Sequence, residues 1–191
     1  VGYYTIAALS AESLLYFPGS AGLALFPKIT KIEEDIATRS TPRVSRVAFS
    51  LTILGAFLLL ALGKIIIRIL FGVGFIPAYR PMIVLLPGII ALSVHSVLSY
   101  DLISRGKPEI NAYASGIGLG VNIFLNLILI PRWGIVGAAF ASTIAYILIT
   151  IVTLKFFLQL SGSNLKNTFL INFKDLRMIL GKILEYMKSR E

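Results

Sequence analysis

Residues 122–142 read NIFLNLILIPRWGIVGAAFAS: an apolar run broken only by two amides, the four-residue turn Pro131-Arg132-Trp133-Gly134, and a second apolar run beginning at Ile135. Followed outward, the two runs stay uncharged from Asn111 to Pro131 and from Trp133 to Leu154. Each is close to the roughly 20 residues a helix needs to cross a hydrocarbon layer about 30 Å thick. A connection this short makes the second helix run back beside the first. The stretch therefore predicts an antiparallel pair of membrane helices.

The rest of the chain repeats the pattern, with further uncharged runs from Ser13 to Pro27, Val47 to Gly63 and Pro81 to Tyr100. Of the 191 residues, 57% are hydrophobic and 14% charged, against about 45–50% and about 25% in soluble domains. Such a chain cannot cover its apolar residues with a polar surface, so their solvent is lipid. The fold class is an all-α integral membrane protein. Five transmembrane helices are expected at about 3–26, 47–71, 81–104, 109–130 and 135–158, within a membrane domain of residues 1–160. A basic loop at Pro27–Arg46, a Gly/Pro-rich turn at Gly72–Arg80 and the turn Arg105-Gly106-Lys107-Pro108 join the others.

Basic residues mark the cytoplasmic side. Lys28, Lys31, Arg39, Arg43, Arg46, Arg105, Lys107, Lys155, Lys166, Lys174, Arg177, Lys182, Lys188 and Arg190 fall on one side; Lys64, Arg68, Arg80 and Arg132 fall on the other. The first side is read as cytoplasmic, and the net charge of +9 is this topological signal rather than a nucleic-acid footprint. Residues 161–191 form a cytoplasmic tail whose Phe169, Phe173, Leu176, Ile179, Leu180, Ile183, Leu184 and Met187 recur at helical spacing. It reads as an amphipathic helix on the inner leaflet, or one that docks a partner. The chain begins at Val1 already inside a helix, so a longer protein with a missing N-terminal lobe is expected.

Ionisable groups at membrane depth are the functional candidates, because each is costly there without a partner or cavity. Glu12 lies near the middle of the first span, with Tyr16 and Ser20 at i+4 and i+8 and the Pro18-Gly19 pair beside them. A carboxylate there can couple to a proton or cation, contact a polar headgroup, or bond a neighbouring helix. His95 lies midway along the third span, as a proton relay or an interhelical hydrogen-bond partner. Asn111, Ser115, Gly118, Asn122 and Asn126 share one face of the fourth span, and Thr143, Tyr146, Thr150 and Thr153 one face of the fifth. Both stripes are expected to face the protein interior. Gly116 and Gly120 form a GxxxG, continued by Gly137, Ala141 and Ala145, which would let the last two helices approach closely. Lys64 and Arg68 either snorkel to the outer interface or attract a phosphate there.

No enzyme is expected. The only carboxylate cluster, Glu33-Glu34-Asp35, reads as a solvated loop. With one His, no Cys and no Asp-x-Asp pair there is no metal site, nucleophile or cofactor motif. The GxGxG of Gly116, Gly118 and Gly120 follows no strand and is no nucleotide fingerprint.

Gly2-Tyr3-Tyr4, Ala7-Ala8, Glu12, Pro18 and Leu25-Phe26-Pro27-Lys28-Ile29 resemble the eighth span of polysaccharide or oligosaccharide (O-antigen-type) flippases of the multidrug/oligosaccharidyl-lipid/polysaccharide superfamily. Asn122 to Asn126, the turn from Ile130 to Gly134 and Ile135 to Ser142 are similar to that family's spans 11 and 12. The resemblance implies most of the C-terminal lobe of a twelve-to-fourteen-helix transporter of the cytoplasmic (inner) membrane. Such a transporter moves an undecaprenyl-diphosphate-linked glycan by alternating access without a cofactor. It would work among membrane lipids and alongside polysaccharide assembly proteins, and bind no nucleic acid. Glu12, Tyr16, His95, Asn122 and Asn126 are the candidates for the substrate or ion pathway. The alternatives are a drug or cation antiporter of the same superfamily, needing an acidic cation site in the absent lobe, and a membrane glycosyltransferase or polymerase, for which the loops are too short.

Overall fold

The computed structural model describes residues 2–31 and 34–162, and every regular element among them is helical. The tail read as an amphipathic helix lies outside the described residues. The chain runs through α1 (Gly2–Glu12), a 3₁₀ turn (Ser13–Leu15), α2 (Tyr16–Lys31), α3 (Glu34–Phe71), a 3₁₀ segment (Val73–Ala78), α4 (Tyr79–Ser104) and α5 (Pro108–Ser161).

The break between α1 and α2 has local causes. Pro18 carries no N–H, so the Leu14 carbonyl loses its helical donor. The Ser13 hydroxyl donates to the Ser10 carbonyl at 2.8 Å, competing with the regular ladder. The three residues tighten into 3₁₀ geometry, which advances about 120° per residue rather than about 100°.

α5 is 54 residues long, roughly 80 Å if straight, but its backbone is non-helical at Gly134 (φ 58°, ψ −135°). Only glycine reaches that region without strain. The chain reverses there: a Cβ on Gly137 would meet the Leu129 carbonyl, Asn122 bonds Ser142, and a Cβ on Gly118 would strike Ile149. These contacts step apart symmetrically about the turn, so residues 108–133 and 135–161 are antiparallel arms of a hairpin.

Three helical stretches are long and apolar enough to cross a membrane: Thr41–Phe71, Val73–Ser104 and Pro108–Ser161. Their outward residues are those a soluble protein would hide. Phe57 is 67% exposed, Ile69 75% and Leu127 72%. The chain is thus a multi-pass membrane protein. α4 is central and touches all the other helices. Its Met82, Leu85 and Ile89 are fully buried against Ile6, Ala7 and Ala11 of α1 and Ala56, Leu59 and Ile67 of α3.

Two expectations change. The segment expected as a basic loop is largely helical, because α2 runs to Lys31 and α3 already starts at Glu34. The close approach of the α5 arms is made by Gly118 and Gly137, whereas a Cβ on Gly116 or Gly120 would meet nothing within 4 Å. The glycines two residues either side of Gly118 point away from the partner arm, because successive helix positions turn by about 100°.

Candidate functional site

One polar seam runs through the bundle between α1 and the two arms of α5. Ser142 is its centre: its Oγ shares a hydrogen bond with the Tyr4 hydroxyl at 2.9 Å and accepts one from Asn122 Nδ2 at 3.3 Å. Asn126 Nδ2 donates to Asn122 Oδ1 at 2.9 Å, and Asn126 Oδ1 is buried without a hydrogen-bond partner. One turn along from Ser142, the Tyr146 hydroxyl donates to Glu12 Oε1 at 3.0 Å. Thr150 Oγ1 then donates to the Tyr146 carbonyl at 2.9 Å. The i, i+4 spacing of Ser142, Tyr146 and Thr150 puts them on one helix face, as the alternation of polar and apolar residues dictates.

Glu12 is half-buried at the last residue of α1, where the helix gives way to the 3₁₀ turn. Among the described residues no cation pairs with it, and Tyr146 supplies its hydrogen bond. A carboxylate held by one hydroxyl can meet a cation without first breaking an ion pair. Tyr16 stands elsewhere. Three residues of 3₁₀ geometry rotate it by roughly 60° away from the line through Glu12, and it is 78% exposed.

His95 sits lower in the bundle, its Nδ1 2.9 Å from Thr153 Oγ1. Thr143 Oγ1 donates to the Val84 carbonyl at 2.6 Å, so the α5 stripe also ties that arm to α4. Asn111 Nδ2 bonds the Ser99 carbonyl at 3.1 Å, while Ser115 is exposed. The structure brings Glu12, Asn122 and Asn126 onto one seam; His95 joins the same arm of α5 near its far end, and Tyr16 stays apart.

A second buried group has no counterpart in the reading above. Asp101, fully buried on α4, accepts from Thr41 Oγ1 at 2.7 Å and from Arg105 Nε at 2.6 Å. The available signal was an Asp-x-x-x-Arg pair at i, i+4 closing an apolar run. Among the described residues no group of three His, Cys, Asp or Glu could hold a metal.

The family model described as lipid II flippase MurJ matches residues 17–189. An uncharacterized membrane protein of Methanocaldococcus jannaschii is 30% identical over 158 residues, 81% of this chain and 31% of that protein. The probable low-salt glycan biosynthesis flippase Agl15 of Haloferax volcanii is 29% identical over 161 residues, 80% of this chain and 33% of that protein. The chain thus spans about a third of the length of these relatives. No solved structure matches.

Proposed function

This chain belongs to the lipid II flippase MurJ family, and from that premise we propose that it forms part of a transporter that flips a lipid-linked oligosaccharide or polysaccharide repeat unit across the cytoplasmic membrane. Five spans suit that role: α1 with α2 as one broken helix, α3, α4, and each arm of α5. The arms hold about 26 residues each, roughly 39 Å, enough for the hydrocarbon layer with some tilt. The excess of basic residues puts the C-terminal tail in the cytoplasm.

The observation that carries the reading is the Glu12–Tyr146 pair in a seam of hydroxyls and amides between α1 and α5. A polar glycan cannot cross hydrocarbon unaided, and a bundle that rocks around a wet cavity needs polar groups facing that cavity. A seam that is neither a metal site nor an ion pair suits such a moving surface. Glu12, Asn122 and Asn126 are its pathway residues, with His95 beyond them. The cargo we infer is a lipid diphosphate carrying sugar; the lipid II flippase family and the Haloferax relative, a probable glycan biosynthesis flippase, support a lipid-linked glycan in general.

The test is Glu12→Gln in the full-length protein, reconstituted in vesicles with a fluorescent lipid-linked glycan. Flipping should fall at least tenfold while the amount of inserted protein stays constant. Unchanged flipping, or loss of insertion itself, would remove Glu12 from the pathway. Cation-driven drug export by the same vesicles would move the protein to the antiporters.

A further inference from the structure

We propose that the groove between α3 and α4 binds an anionic phospholipid, with Lys64 and Arg80 holding its phosphate and the apolar seam beneath them taking an acyl chain. The site lies apart from the polar seam and does not depend on the transport reading.

The two helices are antiparallel, and their register pairs one face of each. On α3 the positions 64, 60, 57 and 53 fall at helical spacing; on α4 so do 80, 83, 87 and 90. At the upper end a cleft of about 410 Å³ is lined by Lys64, Tyr79 and Arg80. Directly along the same faces a second hollow of about 240 Å³ is lined by Ile53, Phe57 and Leu60 with Ile83, Pro87 and Ile90. Ten residues from Arg80 to Ile90 give roughly 15 Å, half of an ~30 Å hydrocarbon layer. That is the depth of one leaflet.

The head end is built for an anion. The Tyr79 hydroxyl donates to the Leu60 carbonyl at 2.5 Å, which fixes the ring, and the Lys64 ammonium lies 5.2 Å from its centroid. From Ile36 to Tyr100 the chain has no Asp or Glu. Among the described residues no carboxylate pairs with Lys64 or Arg80, since the ion pairs found there join Arg105 to Asp101 and Lys107 to Glu109. Two cations at a membrane rim with no counter-ion among the described residues recruit an anion from outside.

The surroundings select a lipid over a free phosphate. Ile65, next to Lys64 in the chain, and Ile69 and Val73 further along are 55%, 75% and 63% exposed, so the end of α3 that carries Lys64 presents apolar residues for lipid to cover. The groove face of α4 is also separate from its functional face. Val84 and Gly88 turn toward Thr143 and Tyr146, whereas Ile83, Pro87 and Ile90 turn toward the groove.

The test is native mass spectrometry of the full-length protein in detergent, with palmitoyl-oleoyl phosphatidylglycerol or phosphatidylcholine added. Wild type should retain the glycerol lipid in preference to the choline lipid. The double substitution K64Q/R80Q should weaken that retention by roughly 5- to 30-fold, from about 1 kcal/mol or less per basic residue at a membrane surface. Excess inorganic phosphate should leave it unchanged. Equal retention of the two lipids, or unchanged retention in the variant, overturns the proposal; displacement by inorganic phosphate makes this a free-anion site and overturns it too. Should the variant fail to insert, unmodified protein and phosphatidylglycerol bearing a mid-chain diazirine decide. Crosslinks must fall within residues 53–60 and 83–90, and labelling spread over the other spans refutes the groove.

Discussion

Gly88 sets how closely the central helix meets the arm of α5 that carries the polar seam, and Gly88→Ala tests that geometry. The added Cβ would lie 2.8 Å from Thr143 Cα, 3.2 Å from Tyr146 Cδ2 and 3.3 Å from the Thr143 carbonyl oxygen. Ordinary contact begins near 3.4 Å, so α5 must move by roughly 0.6 Å, and the nearest obstacle is backbone that cannot swing aside. Overpacking of this kind costs about 1–3 kcal/mol. Weakening the Thr143–Val84 hydrogen bond adds about 0.6 kcal/mol in a membrane. The better helix propensity of alanine returns up to about 1 kcal/mol. The net expectation is a loss of about 0.6–3.6 kcal/mol, with Tyr146 displaced from Glu12. Unfolding of the full-length protein by SDS titration in mixed micelles, followed by far-ultraviolet circular dichroism, measures it. Gly116→Ala, with nothing within 4 Å, is the control and should be neutral or stabilising. A Gly88→Ala protein as stable as wild type, or as the control, would refute the argument that α4 and α5 are in backbone contact there.

Three further outcomes follow from other parts of the fold. Asp101→Ala should cost about 3 kcal/mol, because it removes the buried carboxylate that both Thr41 and Arg105 donate to; adding Arg105→Ala should recover part of that, as a double-mutant cycle in the same titration will read. Gly134→Ala should cost roughly 1–3 kcal/mol and increase protease cleavage at the hairpin, since φ 58° with ψ −135° is closed to a Cβ. Arg132→Gln, on the exposed turn next to it, should change stability by no more than about 0.5 kcal/mol.

Local chemistry made the hairpin readable. Proline and glycine within four residues, between runs of membrane length, left one solution, and Gly134 adopts the conformation that solution needs. Glu12 was readable because a carboxylate in an apolar run is conspicuous by itself. Its partner was not: Tyr146 is 134 residues away, and only the packing of α1 against α5 joins them. Asp101 escaped for the opposite reason. Next to Arg105 and a turn it looks solvated, and it is the packing of Thr41 from α3 that encloses it. The glycine pattern misled because a small residue says that something can approach, not from which side. Two glycines of the GxGxG face outward, and the middle one touches Ile149.

The seam and the core divide the work of the bundle between interactions of different strength. Met82, Leu85 and Ile89 hold α4 to its neighbours by close apolar packing that cannot be undone in small steps. α1 is additionally tied to α5 by two hydroxyl contacts, Tyr4 to Ser142 and Tyr146 to Glu12. Interhelical hydrogen bonds in membranes average only about 0.6 kcal/mol. Under the proposed transport reading, such bonds exchange partners as a cavity opens, without loss of the fold. The double substitution Tyr4→Phe/Tyr146→Phe should therefore cost no more than about 1–1.5 kcal/mol in the SDS titration, yet lower flipping of a lipid-linked glycan by at least tenfold. A stability loss above about 3 kcal/mol with transport per folded molecule intact would reverse the assignment and make the seam structural glue.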